Sequence, residues 1–250
     1  MKNRILLTAT LAGLCLYGSV STAAIVAVNT DSATQNSSFS GQSTNISFNA
    51  NDGGTADAII VSLSSESNAA ADSVKIWYAG VELTPVLDHI GSTASIWYLN
   101  LSDTTYAGGS ANLFLDMTSV ATANGYGVGI VSVNAGGLDI DVHDENRTAG
   151  KSVSLNTTVE TFVLAGHRAN STTGGAASQA PLTQIYSGSI GSSQGGAGYD
   201  EAVAAGSPSY SFGGSTNGAI SAAVAFIAVP EPSSLALLGL GGLLIARRRR

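Results

Sequence analysis

The most constraining feature of this chain is a series of short apolar or alternating segments, closely separated by Gly, Ser, Asn and Asp. No segment between residues 25 and 229 sustains the 3.6-residue period of a helix. Short strands punctuated in this way are typical of β-sandwiches and jelly rolls. The sequence therefore predicts a mainly β fold, with one sandwich or jelly-roll-like domain over residues 25–229. Strands are expected at 56–63, 74–78, 81–86, 94–101, 111–117, 125–133, 138–142, 153–155, 159–164, 182–190 and 219–229.

Turn residues divide these strands. Ala79-Gly80 lies between two of them and predicts a tight hairpin, because glycine readily adopts the positive φ that such turns need. Residues 171–180 and 191–207 are rich in Gly, Ser and Ala. Few of their side chains could fill a core, so both segments are predicted to be long loops.

The C-terminus has a different composition. Pro230, Glu231 and Pro232 precede an uncharged stretch over 233–246, and the last four residues are Arg247, Arg248, Arg249 and Arg250. Those fourteen residues would give a helix of about 21 Å, which is short against a bilayer core of about 30 Å. Snorkelling arginines can make up the difference, and the positive-inside rule keeps them in the cytoplasm. The stretch is predicted to be a transmembrane helix.

This order of a Pro-Glu-Pro motif, a short apolar segment and terminal arginines resembles the PEP-CTERM sorting signal of Gram-negative bacteria. The resemblance implies that an exosortase, a membrane-embedded sorting enzyme, acts in the region of Pro230, Glu231 and Pro232. It also implies a precursor anchored in the inner membrane and a product at the cell surface or outside the cell. The alternative is a plain C-terminal anchor that no enzyme recognises.

The N-terminus is typical of a secretory signal peptide over residues 1–24. Lys2 and Arg4 precede an apolar region at 5–16, and small residues allow cleavage after Ala23 or Ala24. Export through the Sec machinery and cleavage by signal peptidase are therefore expected. Cys15, the single cysteine of the chain, would leave with this segment, so the mature protein would have no disulfide.

The charge of the exported body argues against nucleic acid as a partner. Between residues 25 and 229 the chain has 16 acidic and 4 basic residues, a formal charge of −12. A body this acidic would be repelled by phosphate backbones.

The triplet Ile-Trp-Tyr occurs twice and contains both tryptophans, Trp77 and Trp97. One interpretation is two strands with similar aromatics facing the core. The other is an aromatic platform for stacking on sugar rings. Because strand residues alternate between faces, only one of Trp77 and Tyr78, and one of Trp97 and Tyr98, could face a common ligand.

Carboxylates are concentrated at Asp139, Asp141, Asp144 and Glu145. Closely spaced carboxylate oxygens are ligands for Ca²⁺, although the spacing is not that of an EF-hand. The same residues would equally form the solvent face of an ordinary strand end, so the calcium site and the solvated strand are both hypotheses.

Catalytic signals are weak. The three histidines, His89, His143 and His167, have no nucleophile-elbow motif to accompany them. No cofactor other than Ca²⁺ is expected, and the protein is not expected to be an enzyme.

Together these features predict an exported cell-surface or extracellular-matrix protein with a structural or adhesive role in a biofilm or exopolysaccharide matrix. A carbohydrate-binding module that uses Trp77 or Trp97 is the alternative, followed by a secreted hydrolase.

Overall fold

The structure of the chain is a computed structural model. It describes residues 24–67, 73–88, 90–120, 122–135, 139–171 and 176–229. Nearly all regular structure in these residues is antiparallel β, so the mainly β prediction is confirmed. None of the helices found there is long and apolar enough to cross a bilayer. The predicted signal peptide and transmembrane segment lie outside the described residues.

The first half of the body contains, among its described residues, nine strands and one turn of 3-10 helix (Leu101–Asp103): β1 (Val26–Gln35), β2 (Gln42–Asn49), β3 (Ala58–Ser67), β4 (Lys75–Tyr78), β5 (Val81–Glu82), β6 (Thr84–Leu87), β7 (Thr93–Asn100), β8 (Ser110–Met117) and β9 (Ala123–Asn134). Sheet A has the strand order β1-β9-β3-β7-β6, and sheet B has the order β2-β8-β4-β5. The two sheets face each other as a jelly roll.

The second half contains seven strands in its described residues: β10 (Asp139–Ala149), β11 (Ser152–Ser154), β12 (Thr161–Asn170), β13 (Thr183–Ile190), β14 (Ser193–Val203), β15 (Ser209–Ser211) and β16 (Ile220–Val229). Sheet C has the order β10-β16-β12-β14-β13, and sheet D is the pair β11-β15. Sheet C repeats the connectivity of sheet A strand for strand, and β11-β15 repeats β2-β8. The hairpin β4-β5 has no paired counterpart among these strands.

The four sheets stack in the order B, A, C, D. Ile59 and Val61 of β3 pack in a core with strands of sheet B, whereas Ile60 packs against sheet C. All three side chains are fully buried. Burial on both faces explains why the strand is a continuous apolar run instead of an alternating one. The structure therefore extends the expected sandwich to two sandwiches packed back to back.

The predicted loop over 191–207 is wrong for most of its length, because β14 occupies residues Ser193–Val203 between β12 and β13. Its glycines allow close packing. A Cβ on Gly196 would collide with the carbonyl of Ala176, and one on Gly198 would lie 2.6 Å from the Ser178 hydroxyl. The small residues that suggested a loop are the ones that let this strand fit under its neighbours.

The predicted strand over 81–86 is divided between two sheets. β5 belongs to sheet B, and β6 belongs to sheet A. Leu83 lies between them, buried in the core, and Pro85 sits on the edge strand β6, where its missing N–H is tolerated.

Candidate functional site

The outward side of sheet B is the part of the body best suited to contact a ligand. One row of cross-strand neighbours runs Asn45, Phe114, Trp77 and Glu82 across β2, β8, β4 and β5. Cross-strand partners share a face, and four strands span about 14 Å. We call this side the outer face; its members are Ser43, Asn45, Ser47, Lys75, Trp77, Glu82, Asn112, Phe114 and Asp116.

Trp77 and Phe114 form the centre of the outer face. Their ring centroids are 5.6 Å apart with the planes tilted by 47°, and both side chains are partly exposed. The Lys75 Nζ lies 5.9 Å from the centroid of the Trp77 ring and 3.4 Å from Glu82 Oε1. Because Lys75 and Glu82 are both nearly half exposed, their ion pair contributes little to stability and can rearrange around a ligand.

The hairpin turn is what fixes Trp77 on this side. Ala79 and Gly80 both have positive φ, 51° and 84°, as a two-residue I′ turn requires. The turn aligns Tyr78 with Val81 and Trp77 with Glu82. Ile76 and Tyr78 then point into the core, where both are fully buried, and Trp77 points out. The predicted hairpin is confirmed.

Trp97 has a different environment from Trp77. It is 2% exposed and packs in the core between sheets A and B. Tyr98 lies on the opposite face of sheet A, with its ring 5.7 Å from that of Phe226. The two Ile-Trp-Tyr triplets thus differ in the exposure of their tryptophans. Trp77 is partly exposed and could stack on a ligand, whereas Trp97 is buried and could not.

Phe114 and Asn45 were not identified from the sequence. The signal for Phe114 lies in strand β8, where Leu113, Leu115 and Met117 alternate with polar neighbours. Phe114 is the one aromatic residue in the polar set of that strand. An apolar ring on a solvent face indicates a contact surface more than a core.

The carboxylates proposed for calcium lie on and near the start of β10. Asp139 pairs with Val229 and Asp141 with Ile227, and a bulge interrupts the register between Val142 and Asp144. Glu145, just after the bulge, is exposed. The side chains of the three aspartates lie outside the described part of the chain. Among the residues that the structure does describe, no group of metal ligands is found. Calcium binding stays a prediction, which chelation would test through the melting temperature.

His167 is placed in the core, away from solvent. Its Nδ1 lies 2.9 Å from the Ser221 hydroxyl, which donates to the Gly150 carbonyl at 2.8 Å, and its ring stacks on Phe212 at 5.0 Å. Burial, followed by the charges of Lys151 and Arg168, lowers the pKa of His167 to about 4. A substrate cannot reach this enclosed pair, so His167 and Ser221 have a structural role.

Glu66 is the centre of a polar network between the two halves. It accepts hydrogen bonds from the Ser192 and Ser193 hydroxyls and from Asn124 Nδ2 at 3.1 Å. Arg168 donates to the Ser193 hydroxyl at 2.7 Å. Burial alone would raise the pKa of Glu66, but these hydrogen bonds and the Arg168 charge lower it. The network joins β3 to the turn before β14 and therefore stabilises the contact between the halves.

The predicted sorting residues lie beyond the described part: Pro230, Glu231, Pro232, Arg247, Arg248, Arg249 and Arg250. The comparison with known families bears on them directly. Residues 228–250 match the family model of the PEP-CTERM protein-sorting motif. This motif implies export, a membrane-anchored precursor, processing by an exosortase-type enzyme and delivery to the surface.

Other comparisons add little. No curated protein matches the chain. Among solved structures, the major capsid protein P2 from bacteriophage PM2 is similar at 8% identity over 82% of this chain and 99% of that chain, with a TM-score of 0.23. A likeness at that TM-score carries no argument about this protein.

Proposed function

We propose that this protein is a non-catalytic, adhesive component of an extracellular or biofilm matrix and that its body attaches to polysaccharide through the outer face of sheet B. The observation that carries the proposal is the partly exposed Trp77–Phe114 pair at the centre of a face otherwise made of amides, hydroxyls and charges. The sorting motif supports it, because the motif implies delivery to the cell surface, where a matrix component would have to be.

The chemistry of the outer face suits sugars. A pyranose ring has apolar C–H faces and a rim of hydroxyls, so it combines an aromatic surface with hydrogen-bonding neighbours. Trp77 and Phe114 offer the first, while Asn45, Asn112 and Glu82 offer donors and acceptors around it. Aromatic side chains with polar neighbours are also the usual energetic centres of binding surfaces.

The charge of the body restricts the class of polymer. Between residues 25 and 229 it carries a formal charge of −12, which repels a polyanion over distances of about 10 Å at moderate salt. A neutral polysaccharide would meet no such barrier. The body is therefore suited to attachment to neutral polysaccharide chains.

Co-sedimentation with the neutral fraction of the purified exopolysaccharide of the producing bacterium tests this function. We expect Trp77→Ala to weaken binding roughly thirtyfold, since truncation of a central aromatic costs about 2 kcal/mol or more. Val159→Ala is the matched control, because it removes exposed apolar surface from the second half. If Trp77→Ala binds as tightly as Val159→Ala and the wild-type protein, with folding verified by circular dichroism, the proposal is refuted.

The delivery step has its own test. Pro230→Ala combined with Pro232→Ala should block processing while leaving export intact, because the motif that the sorting enzyme recognises is lost. Intact mass of the surface-recovered protein measures this. A wild-type product that ends near Pro232 supports processing, whereas a product still carrying Arg250 would indicate a plain anchor.

A further inference from the structure

A cavity of about 340 Å³ opens beside the outer face, at the edge of the first sandwich where the β4-β5 hairpin meets β6 and β7 of sheet A. Cavities of this size are within the range of small-molecule sites, which are mostly apolar with a few placed polar groups. The cavity is lined by apolar and by polar side chains. The apolar ones are Val74, Leu83, Pro85 and Trp97, and the polar ones are Lys75, Glu82 and Asp88.

We infer that this cavity receives the terminal sugar unit of a neutral polysaccharide chain that lies on the outer face. The inference rests on the proposed function and specifies it further. Two residues connect the surfaces: Lys75 and Glu82 belong to the outer face and also line the cavity. A chain that crosses Trp77 toward the edge strand β5 therefore arrives at the mouth of the cavity.

The inner boundary of the cavity explains why it would take a chain end. Leu83 and Trp97 are 1% and 2% exposed, and both belong to the closed core between sheets A and B. A polymer cannot continue through that core. An internal segment of a chain would have to pass over the mouth, whereas a terminal unit can enter.

The polar groups at the cavity favour an uncharged sugar. Lys75 and Glu82 form an ion pair, and the exposed Asp88 lies near the Arg147 guanidinium, which donates to the Asp88 carbonyl at 2.6 Å. Burial lowers the pKa of Arg147, and the charges of Asp88 and Glu145 partly oppose that shift. The lining itself carries one cationic side chain, Lys75, and two anionic ones, Glu82 and Asp88. Sugar hydroxyls can bind groups of either sign, whereas a charged sugar would meet at least one group of its own sign.

Counting chain ends tests the inference. The probe is the neutral fraction of the purified exopolysaccharide of the producing bacterium, intact and after mild hydrolysis to shorter chains at equal sugar mass. We expect the number of wild-type molecules bound per milligram to rise in proportion to the number of ends. Asp88→Ala should lower the affinity for short chains at least fivefold, and Asp103→Ala, an exposed acid elsewhere in the same half, should not.

The outcomes separate the two proposals. If the number of molecules bound per milligram of polymer is unchanged by hydrolysis, or if Asp88→Ala binds short chains like wild type, the cavity does not bind terminal sugar units. Trp77-dependent attachment to the polymer would still stand in that case. If neither intact nor shortened polymer binds, both the attachment and the chain-end proposal are overturned.

Discussion

The two halves of the body share a strand order but differ in what covers them. In the first half, β4 pairs with β8 over four residues and continues into the Trp77 hairpin. At the corresponding place in the second half, the residues that the structure describes form one isolated bridge, between Ser178 and Phe212. The scaffold is therefore common to both halves, and the candidate site lies on a hairpin that has no paired counterpart among the described residues of the second half. When two units share a fold, a functional site is often carried by an element that is added to one of them, as the β4-β5 hairpin is here.

The aromatics of the two outer layers also point in opposite directions. On β8, Phe114 faces solvent beside Trp77. On β15, the corresponding strand, Tyr210 is fully buried, and Phe212 just beyond it stacks on His167. The second half uses its aromatics to close a core, and the first half leaves a pair of them available for contact.

The largest expected effect concerns the junction of the halves. Phe226 is fully buried between sheets A and C, so Phe226→Ala should destabilise the protein by about 3–5 kcal/mol. Both tryptophans lie in the first half, so their fluorescence reports that half alone. We expect the fluorescence and circular dichroism midpoints to fall together in denaturant. A shift confined to circular dichroism would show that the halves unfold separately.

The second half should also control the response to mild acid. Because the folded state holds the pKa of His167 near 4, below its ordinary 6.5, the unfolded state binds the proton first as pH falls. Stability is then fully present above pH 6.5 and decreases toward pH 4, by at most roughly 3 kcal/mol. His167→Gln should flatten this slope in urea titrations. An unchanged slope would contradict the assignment.

A smaller effect is expected for Glu66. Its pKa is lowered in the folded state, so its stabilisation is present above the ordinary value of 4.5 and is lost as pH falls through the folded pKa. Glu66→Gln should cost about 1–2 kcal/mol at pH 7 and almost nothing below that window. Asp103→Asn, a substitution at an exposed acid, is the control. Thermal unfolding at the two pH values measures the difference.

The smallest effect on stability is expected at Lys75. Lys75→Gln removes a half-exposed ion pair and should change the free energy of unfolding by less than about 1 kcal/mol. The same substitution should weaken polysaccharide binding, because Lys75 borders Trp77 and the cavity. A large loss of stability with intact binding would reverse the role assigned to this residue.

Sequence predicted the parts of the fold that rest on local signals. The Ala79-Gly80 turn and the apolar strand around Ile60 could be identified because their residues have strong conformational or burial preferences. Strands β1 and β2 were missed, since both are edge strands in which polar residues predominate and few side chains are fully buried. Edge strands need few apolar residues and leave little periodicity.

Other features depend on contacts that a local pattern does not contain. Gly196 and Gly198 lie in a buried strand because a neighbouring segment packs on them. From composition alone, this glycine-rich stretch is predicted to be a loop. The two Ile-Trp-Tyr triplets are identical in sequence, yet Trp77 faces solvent and Trp97 the core. Their difference is set by which sheet each strand joins, and that is a long-range choice.

Hydroxyl-radical footprinting with and without exopolysaccharide tests the central claim most directly, because it reports each aromatic side chain in one experiment. We predict that oxidation of Trp77 and Phe114 falls on binding, while that of aromatics in the second half, such as Tyr199, is unchanged. Protection of Tyr199 with full oxidation of Trp77 would contradict the claim that the first half carries the binding face.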